Sequence, residues 1–245
     1  MPASKPQHHQ PLSGMEVPRF AGPATFMRLP LVALEDAGNL DIGLFGVPWD
    51  GGTTNRPGPR HGPRQMRDMS AMMRRVHHVH RIAPYDLANC ADLGDAPVNP
   101  ADLRDSLKRI ETFFDAVVAQ GIRPLAAGGD HLCSLPALRA VGRKEPVGMV
   151  HFDAHSDLWD SYFGGFTLTH GTPFRRAIEE GVLDPKRTIQ IGLRGSVYDW
   201  EDRDFGKAAG VRMMDIEEAA ALGPEQVMEI ARDVVGEGRT YVSFD

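Results

Sequence analysis

The chain has 245 residues, 42% hydrophobic and 24% charged, with a formal net charge of −6. That is enough for a sizeable core in one large domain or two small ones, and it excludes an intrinsically disordered chain. The 26 glycines and 19 prolines follow no collagen-like period, and two cysteines, Cys90 and Cys133, exclude a disulfide scaffold.

Residues 1–24 carry five prolines (Pro2, Pro6, Pro11, Pro18, Pro23) and read as an extended arm suited to packing on a neighbouring subunit. No apolar segment follows the lysine near the start, so no secretory signal is expected, and no run approaches the ~20 residues that span a bilayer. Together with the low cysteine content this points to the cytoplasm. Residues 25–245 show no repeat, charge block or linker and read as one domain. Ile42–Val47 is a strand stopped by Pro48. Asn99 caps a helix with Pro100 in its first turn, and Leu103, Leu107, Ile110, Phe114 and Val117 form its apolar face up to Gly121. A strand follows at 122–127, then a helix with Leu132, Leu135, Leu138 and Val141 on one face. Next come a strand at Val147–Phe152, a helix at 173–180, a strand at 188–193, a helix at 224–235 and a last strand at 241–244. Apolar strands alternating with helices predict an α/β fold, three layers with a mainly parallel sheet between helices. Ligands of such sheets sit at the carboxyl ends of the strands.

Three of those ends carry metal-ligand chemistry: Gly128-Gly129-Asp130-His131, then His151-Phe152-Asp153-Ala154-His155-Ser156-Asp157, then Ser243-Phe244-Asp245. A thiol-free set of carboxylates and imidazoles suits a hard to borderline divalent ion, manganese ahead of zinc, cobalt or nickel. The candidate ligands are too many for one tetrahedral zinc and match two ions sharing carboxylates. Such a pair activates water for attack on an electrophilic carbon or phosphorus. His170, beyond the next loop, is placed to move a proton to a leaving amine. Asp130 is expected in a turn, and His151 behind the site rather than in it. Arg74, Arg75 and Arg81 around His77, His78 and His80 argue against a cation there. The mildly acidic chain has no general electrostatic reason to bind nucleic acid or a membrane.

At these motifs the sequence resembles the ureohydrolases, the arginase–agmatinase family. Gly-Gly-Asp-His at 128–131, Phe-Asp-Ala-His-Ser-Asp at 152–157, His-Gly-Thr-Pro at 170–173 and Ser-Phe-Asp at 243–245 occur in the family's order. Upstream, Gly-Val-Pro-Trp-Asp-Gly-Gly-Thr at 46–53 and the segment 56–64 extend the likeness over nearly the whole chain after the arm. The resemblance implies an arginase-like fold, two manganese ions per subunit with nickel or cobalt as alternatives, and release of urea and an amine from a guanidino group. It implies His131, Asp153, Asp157 and Asp245 as ligands of one ion. Asp153, His155 and Asp245 would hold the other, with Asp153 central to catalysis and His170 transferring the proton. It also implies a homo-oligomer, a trimer or hexamer. The family's last motif continues with a further aspartate, so the domain is expected to extend beyond Asp245.

For the substrate, Trp159 stands where arginases have an asparagine that helps bind arginine. The loop through Tyr162, Phe163, Gly164 and Gly165 to His170 is similar to that of the bacterial guanidino-acid hydrolases. Trp159, Tyr162 and His170 are therefore the expected substrate-binding residues, for a small guanidino acid such as 3-guanidinopropionate or 4-guanidinobutyrate. Agmatine hydrolysis is the neighbouring reading. A catalytically silent subunit and a binuclear phosphoesterase are the remaining alternatives, and the absence of an Asn-His pair opposes the last.

Overall fold

The structure is a computed structural model that describes residues 8–245; residues 1–7, the start of the expected arm, lie outside the described residues. The chain forms two compact units: residues up to Asp50 with Pro57–Gly129, and Gly51–Arg56 with Asp130–Asp245.

In the first unit β1 (Ile42–Val47) lies between β2 (Cys90–Asp95) and β3 (Arg123–Gly128), all parallel. β1 is apolar and almost wholly buried, as a central parallel strand must be. β3 lies at the edge of this sheet, where Pro124 costs no ladder bond and Leu125 stays 54% exposed. Two helices, α1 (Gly62–Ser70) and the short α2 (Pro84–Leu87), precede β2. The amphipathic α3 (Leu103–Ala119) buries Leu107, Ile110, Phe114 and Val117, with Phe114 edge-on to Phe45 of β1 at 4.9 Å between ring centroids. Its cap is Asp102, which accepts from Asp105 N at 2.9 Å, not Asn99 as the sequence pattern predicts. Asn99 makes the preceding turn instead, accepting from Ala101 N, while its carbonyl takes the Ser106 hydroxyl. Residues 9–28 lie against this chain's own first unit. His9 N donates to Asn89 Oδ1 and the Arg28 guanidinium to Val17 O. Buried Asp92 accepts from Phe26 N at 2.9 Å and Arg67 Nε at 2.8 Å, joining arm, helix and strand.

In the second unit α4 (Ser134–Gly142) leads into β4 (Val147–Phe152), and α5 (Pro173–Glu179) into β5 (Leu183–Leu193). Then follow α6 (Glu201–Ala209), β6 (Arg212–Asp215), α7 (Ile216–Val235) and β7 (Thr240–Phe244). The sheet order is β6-β5-β4-β7, again all parallel. Val227, Ala231 and Val235 of α7 pack on Val150, Ile189, Ile191 and Met214. β5 starts at Leu183, earlier than its apolar run, because polar Asp184–Arg187 disguise its first half. α7 starts at Ile216, capped by Asp215 on Glu218 N at 2.7 Å. Gly223 (φ 77°) interrupts it and Pro224 restarts it, so the pattern beyond residue 224 shows only its second half. Because β4 and β7 are parallel neighbours, the residues that follow them emerge at one edge of this sheet.

Candidate active site

Phe152 of β4 is paired with Phe244 of β7. The next residues, Asp153 and Asp245, therefore emerge side by side, and Asp245 N donates to Phe152 O at 3.0 Å. The third contribution is the 3-10 turn His131–Cys133. Asp130 caps it as expected: Oδ1 accepts from Leu132 N at 2.9 Å and Oδ2 from Gly52 N at 2.6 Å. A side chain at Gly52 would lie 2.9 Å from Leu132 Cβ, so glycine is required for this approach.

The turn aims His131 at the carboxylates. Its Nδ1 lies 2.8 Å from Asp157, 3.3 Å from Asp153 and 3.2 Å from Asp245. None of these oxygens is aligned as a hydrogen-bond partner, while the opposite ring nitrogen, Nε2, is 2.7 Å from Ser243 Oγ. Burial lowers the pKa of this imidazole, and the three carboxylates outweigh it, raising the pKa well above the usual range. A cluster of three carboxylates and one buried imidazole demands a positive charge at its centre. A proton on His131 would supply it, and so would a divalent ion with the neutral ring as ligand. The donor set fits such an ion.

Asp153 is the hub. Burial raises its pKa, but the nearby His131 ring and hydrogen bonds from His151 and His155 N hold it far below the usual carboxylate range. Asp245 is also lowered, by His131. Asp157 has positive φ (52°), an uncommon conformation that aspartate tolerates better than most residues.

His151 is fully buried, and its role follows from its tautomer. Gln190 Nε2 donates to Ser156 O at 2.6 Å and lies 3.1 Å from His151 Nδ1. An amide nitrogen cannot accept, so His151 Nδ1 accepts and Nε2 carries the hydrogen. Nε2 then donates to Asp153 Oδ2 at 3.0 Å. Although His131, His151 and Asp153 lie close enough to grip an ion together, His151 is thereby a donor to the central carboxylate of the cluster. Burial lowers its pKa and keeps it neutral. His155 is 77% exposed on its side chain, with Nδ1 3.4 Å from Asp153 Oδ1. It stands at the solvent side of Asp153.

His170 Nε2 is 2.8 Å from Thr54 Oγ1, and His170 N donates to Gly52 O at 2.9 Å. A cavity of about 310 Å³ is lined by Asp157, Trp159, Tyr162, His170, Arg194 and Arg203, among others. Tyr162 packs over Gly171, where any side chain would strike its ring, and Trp159 meets Tyr198 edge-on at 5.8 Å. Burial, then Asp157, push the Tyr162 phenol up to about 12. His77, His78 and His80 are exposed and stack, with centroids 5.5 and 4.8 Å apart, and His80 N donates to His77 Nδ1.

The sequence alone missed Thr54, Gln190, Asp202, Arg194 and Arg203. Each is an ordinary polar residue whose relevance arises from its partner in space. Buried Asp202 takes a short hydrogen bond from Ser156 Oγ.

The sequence profile of the arginase family matches residues 40–245. The chain belongs to the arginase family. It is 63% identical over 238 residues to guanidinopropionase of Pseudomonas aeruginosa, covering 97% of this chain and 74% of that protein. Guanidinobutyrase of the same organism is 45% identical, over 97% of this chain and 75% of that protein. Among solved structures, proclavaminate amidino hydrolase from Streptomyces clavuligerus superposes with a TM-score of 0.85 at 36% identity, over 92% of this chain and 74% of that one. Like these arginase-family relatives, the chain is a hydrolase with an arginase-like α/β fold of parallel strands. None of its described helices is long and apolar enough to cross a membrane.

Proposed function

We propose that the chain hydrolyses a small guanidino acid, with 3-guanidinopropionate first and 4-guanidinobutyrate next, releasing urea and an amine. The observation that carries this reading is the convergence of Asp153, Asp157 and Asp245 on buried His131 Nδ1. The substrate class is supported by the 63% identity to a guanidinopropionase. His131, Asp153, Asp157 and Asp245 would hold one divalent ion, and Asp153, His155 and Asp245 a second, with manganese favoured by the oxygen-rich donor set over nickel or cobalt. Such ions acidify water and neutralise charge developing on a carbon under attack.

The chain's own groups do the rest. Asp153 is held ready by the donors His151 Nε2 and His155 N, so its oxygens keep one orientation. Water adds to the guanidino carbon and releases one proton, the carbon–nitrogen bond to the substrate's chain breaks, and the leaving nitrogen takes a proton from His170, which the proton released by the water restores. Thr54 Oγ1 orients that ring. Trp159 and Tyr162 form the wall along the substrate's methylenes. We further propose a cytoplasmic homo-oligomer, a trimer or hexamer, and assign no nucleic acid or membrane partner. The exposed Met66, Met69, Met72 and Met73 of the first unit offer apolar surface for assembly.

Urea release from 3-guanidinopropionate, 4-guanidinobutyrate, agmatine and arginine by manganese-loaded protein tests the function. Release from the acids supports it, and preference for agmatine replaces it with the agmatinase reading. No release from any of the four, with fewer than two ions per chain, establishes a silent subunit.

A further inference from the structure

Resting on the guanidino-acid reading, we propose that Arg194, with Arg203 beside it, forms a carboxylate subsite that selects acids over amines. Both arginines line the cavity that holds Asp157, Trp159, Tyr162 and His170. Arg194 follows directly on β5, and its N donates to Ala154 O at 2.9 Å, which fixes its backbone beside the site. Its guanidinium donates to Gly192 O at 3.0 Å and, among the described residues, has no carboxylate partner. Arg203 Nε is buried without a hydrogen bond, and 3.6 Å separates it from Asp202 Oδ2, which already accepts from Ser156.

Other arginines of this unit are neutralised. Arg139 pairs with Glu180, Arg175 with Glu179 and Glu201, Arg176 with Asp160, and Arg212 with Glu218, whereas Arg187 and Arg239 bond backbone carbonyls and do not line the cavity. In a chain of net charge −6, two guanidinium groups lacking a well-aligned carboxylate on one cavity wall mark where an anion is accepted. A planar guanidinium matches a carboxylate with two parallel hydrogen bonds, and it repels an ammonium. A guanidino acid thus has a cation at one end for the carboxylate cluster and an anion at the other for the arginines. The aromatic wall of Trp159, Tyr162 and Tyr198 suits the methylenes between them.

The test compares 3-guanidinopropionate with propylguanidine, which has no carboxylate, as substrate or competitive inhibitor of the metal-loaded full chain. Arg194→Gln should raise KM for the acid about 10- to 100-fold, the range for a charge-assisted bond. The constants for propylguanidine should stay within about twofold, and Arg194→Lys should recover much of the acid's KM. Arg203→Gln should show the same pattern more weakly. An unchanged KM for the acid overturns the subsite, as does an equal loss for both compounds. If the unaltered protein cleaves no guanidino compound, the reading of the whole site falls and this proposal with it.

Discussion

Thr54 Oγ1 and His170 Nε2 are 2.8 Å apart, although 116 positions separate them in the chain. The contact ties the loop of glycines before Thr54 to the histidine proposed to transfer the proton, and His170 N is held from the same loop by Gly52 O. Removing one neutral hydrogen bond of this kind costs about 1 kcal/mol. Thr54→Val should therefore lower kcat about fivefold, leave metal content unchanged and lower the melting temperature by no more than about 2–4 °C. Steady-state kinetics with metal analysis checks this. An unaltered kcat would show that the hydroxyl does not orient the ring.

Asp153→Asn keeps the shape of the side chain and removes the charge that draws on His131, His151 and His155. Metal content should fall from two ions per chain to at most one, and urea release should drop below detection. Elemental analysis of gel-filtered protein gives the first number independently of the assay.

Gln190 bridges His151 Nδ1 and Ser156 O while fully buried. Gln190→Leu leaves both acceptors without a donor and frees the tautomer of His151. The expected cost is about 1–3 kcal/mol of stability, with about 10- to 100-fold weaker metal affinity. Urea unfolding and metal titration with a fluorescent competitor measure the two effects separately.

Ions that bind the folded cluster stabilise it by mass action. At ~100 times the dissociation constant the gain is about 2.7 kcal/mol, or roughly 5–11 °C for a chain of this size. Chelation should lower the melting temperature by that amount and manganese should restore it. The shift should be smaller in Asp153→Asn, which is expected to hold at most one ion.

In the first unit, Asp50 is held below the usual carboxylate value of 3.8, first by the Arg60 guanidinium and further by Gly58 N at 2.7 Å. A depressed folded pKa contributes stability above the unfolded value, and that contribution is lost as pH falls through the folded value. Asp50→Asn should lower stability near neutrality and flatten the decline between about pH 5 and pH 2, as followed by urea unfolding across that range.

Much of this was legible in the sequence because the candidate ligand residues follow directly on apolar strands. Ile42–Val47 and Val147–Phe152 appear as strands with the expected ends, since their runs are short, unbroken and closed by proline or by charge. His131, Asp153, Asp157 and Asp245 come together as expected because the strands that carry Asp153 and Asp245 are parallel neighbours. β2 and β6 were not legible. Asp92 and Asp95 in the one and Arg212 and Asp215 in the other interrupt any apolar pattern; the first pair is tolerated through Arg67, distant in the chain, and the second through nearby Glu218. The start of α3 was misplaced for a similar reason: Asn99 and Asp102 both have capping chemistry, and Ser106 binds the first while the second takes the helix. Gln190 and Arg194 carry no motif at all. Only the register of β5 beside β4 gives them neighbours to act on.

The six-residue stretch Gly51–Arg56 belongs with Asp130–Asp245, although the residues on both sides of it belong to the other unit. The backbone therefore passes between the two units three times, and no single cut separates them. A fragment beginning at Asp130 would have the metal-type cluster but lack Gly52 and Thr54, with nothing to hold Asp130 or His170 in place. Splitting this enzyme into reporter halves, or permuting its termini, should respect those six residues before any loop on the surface.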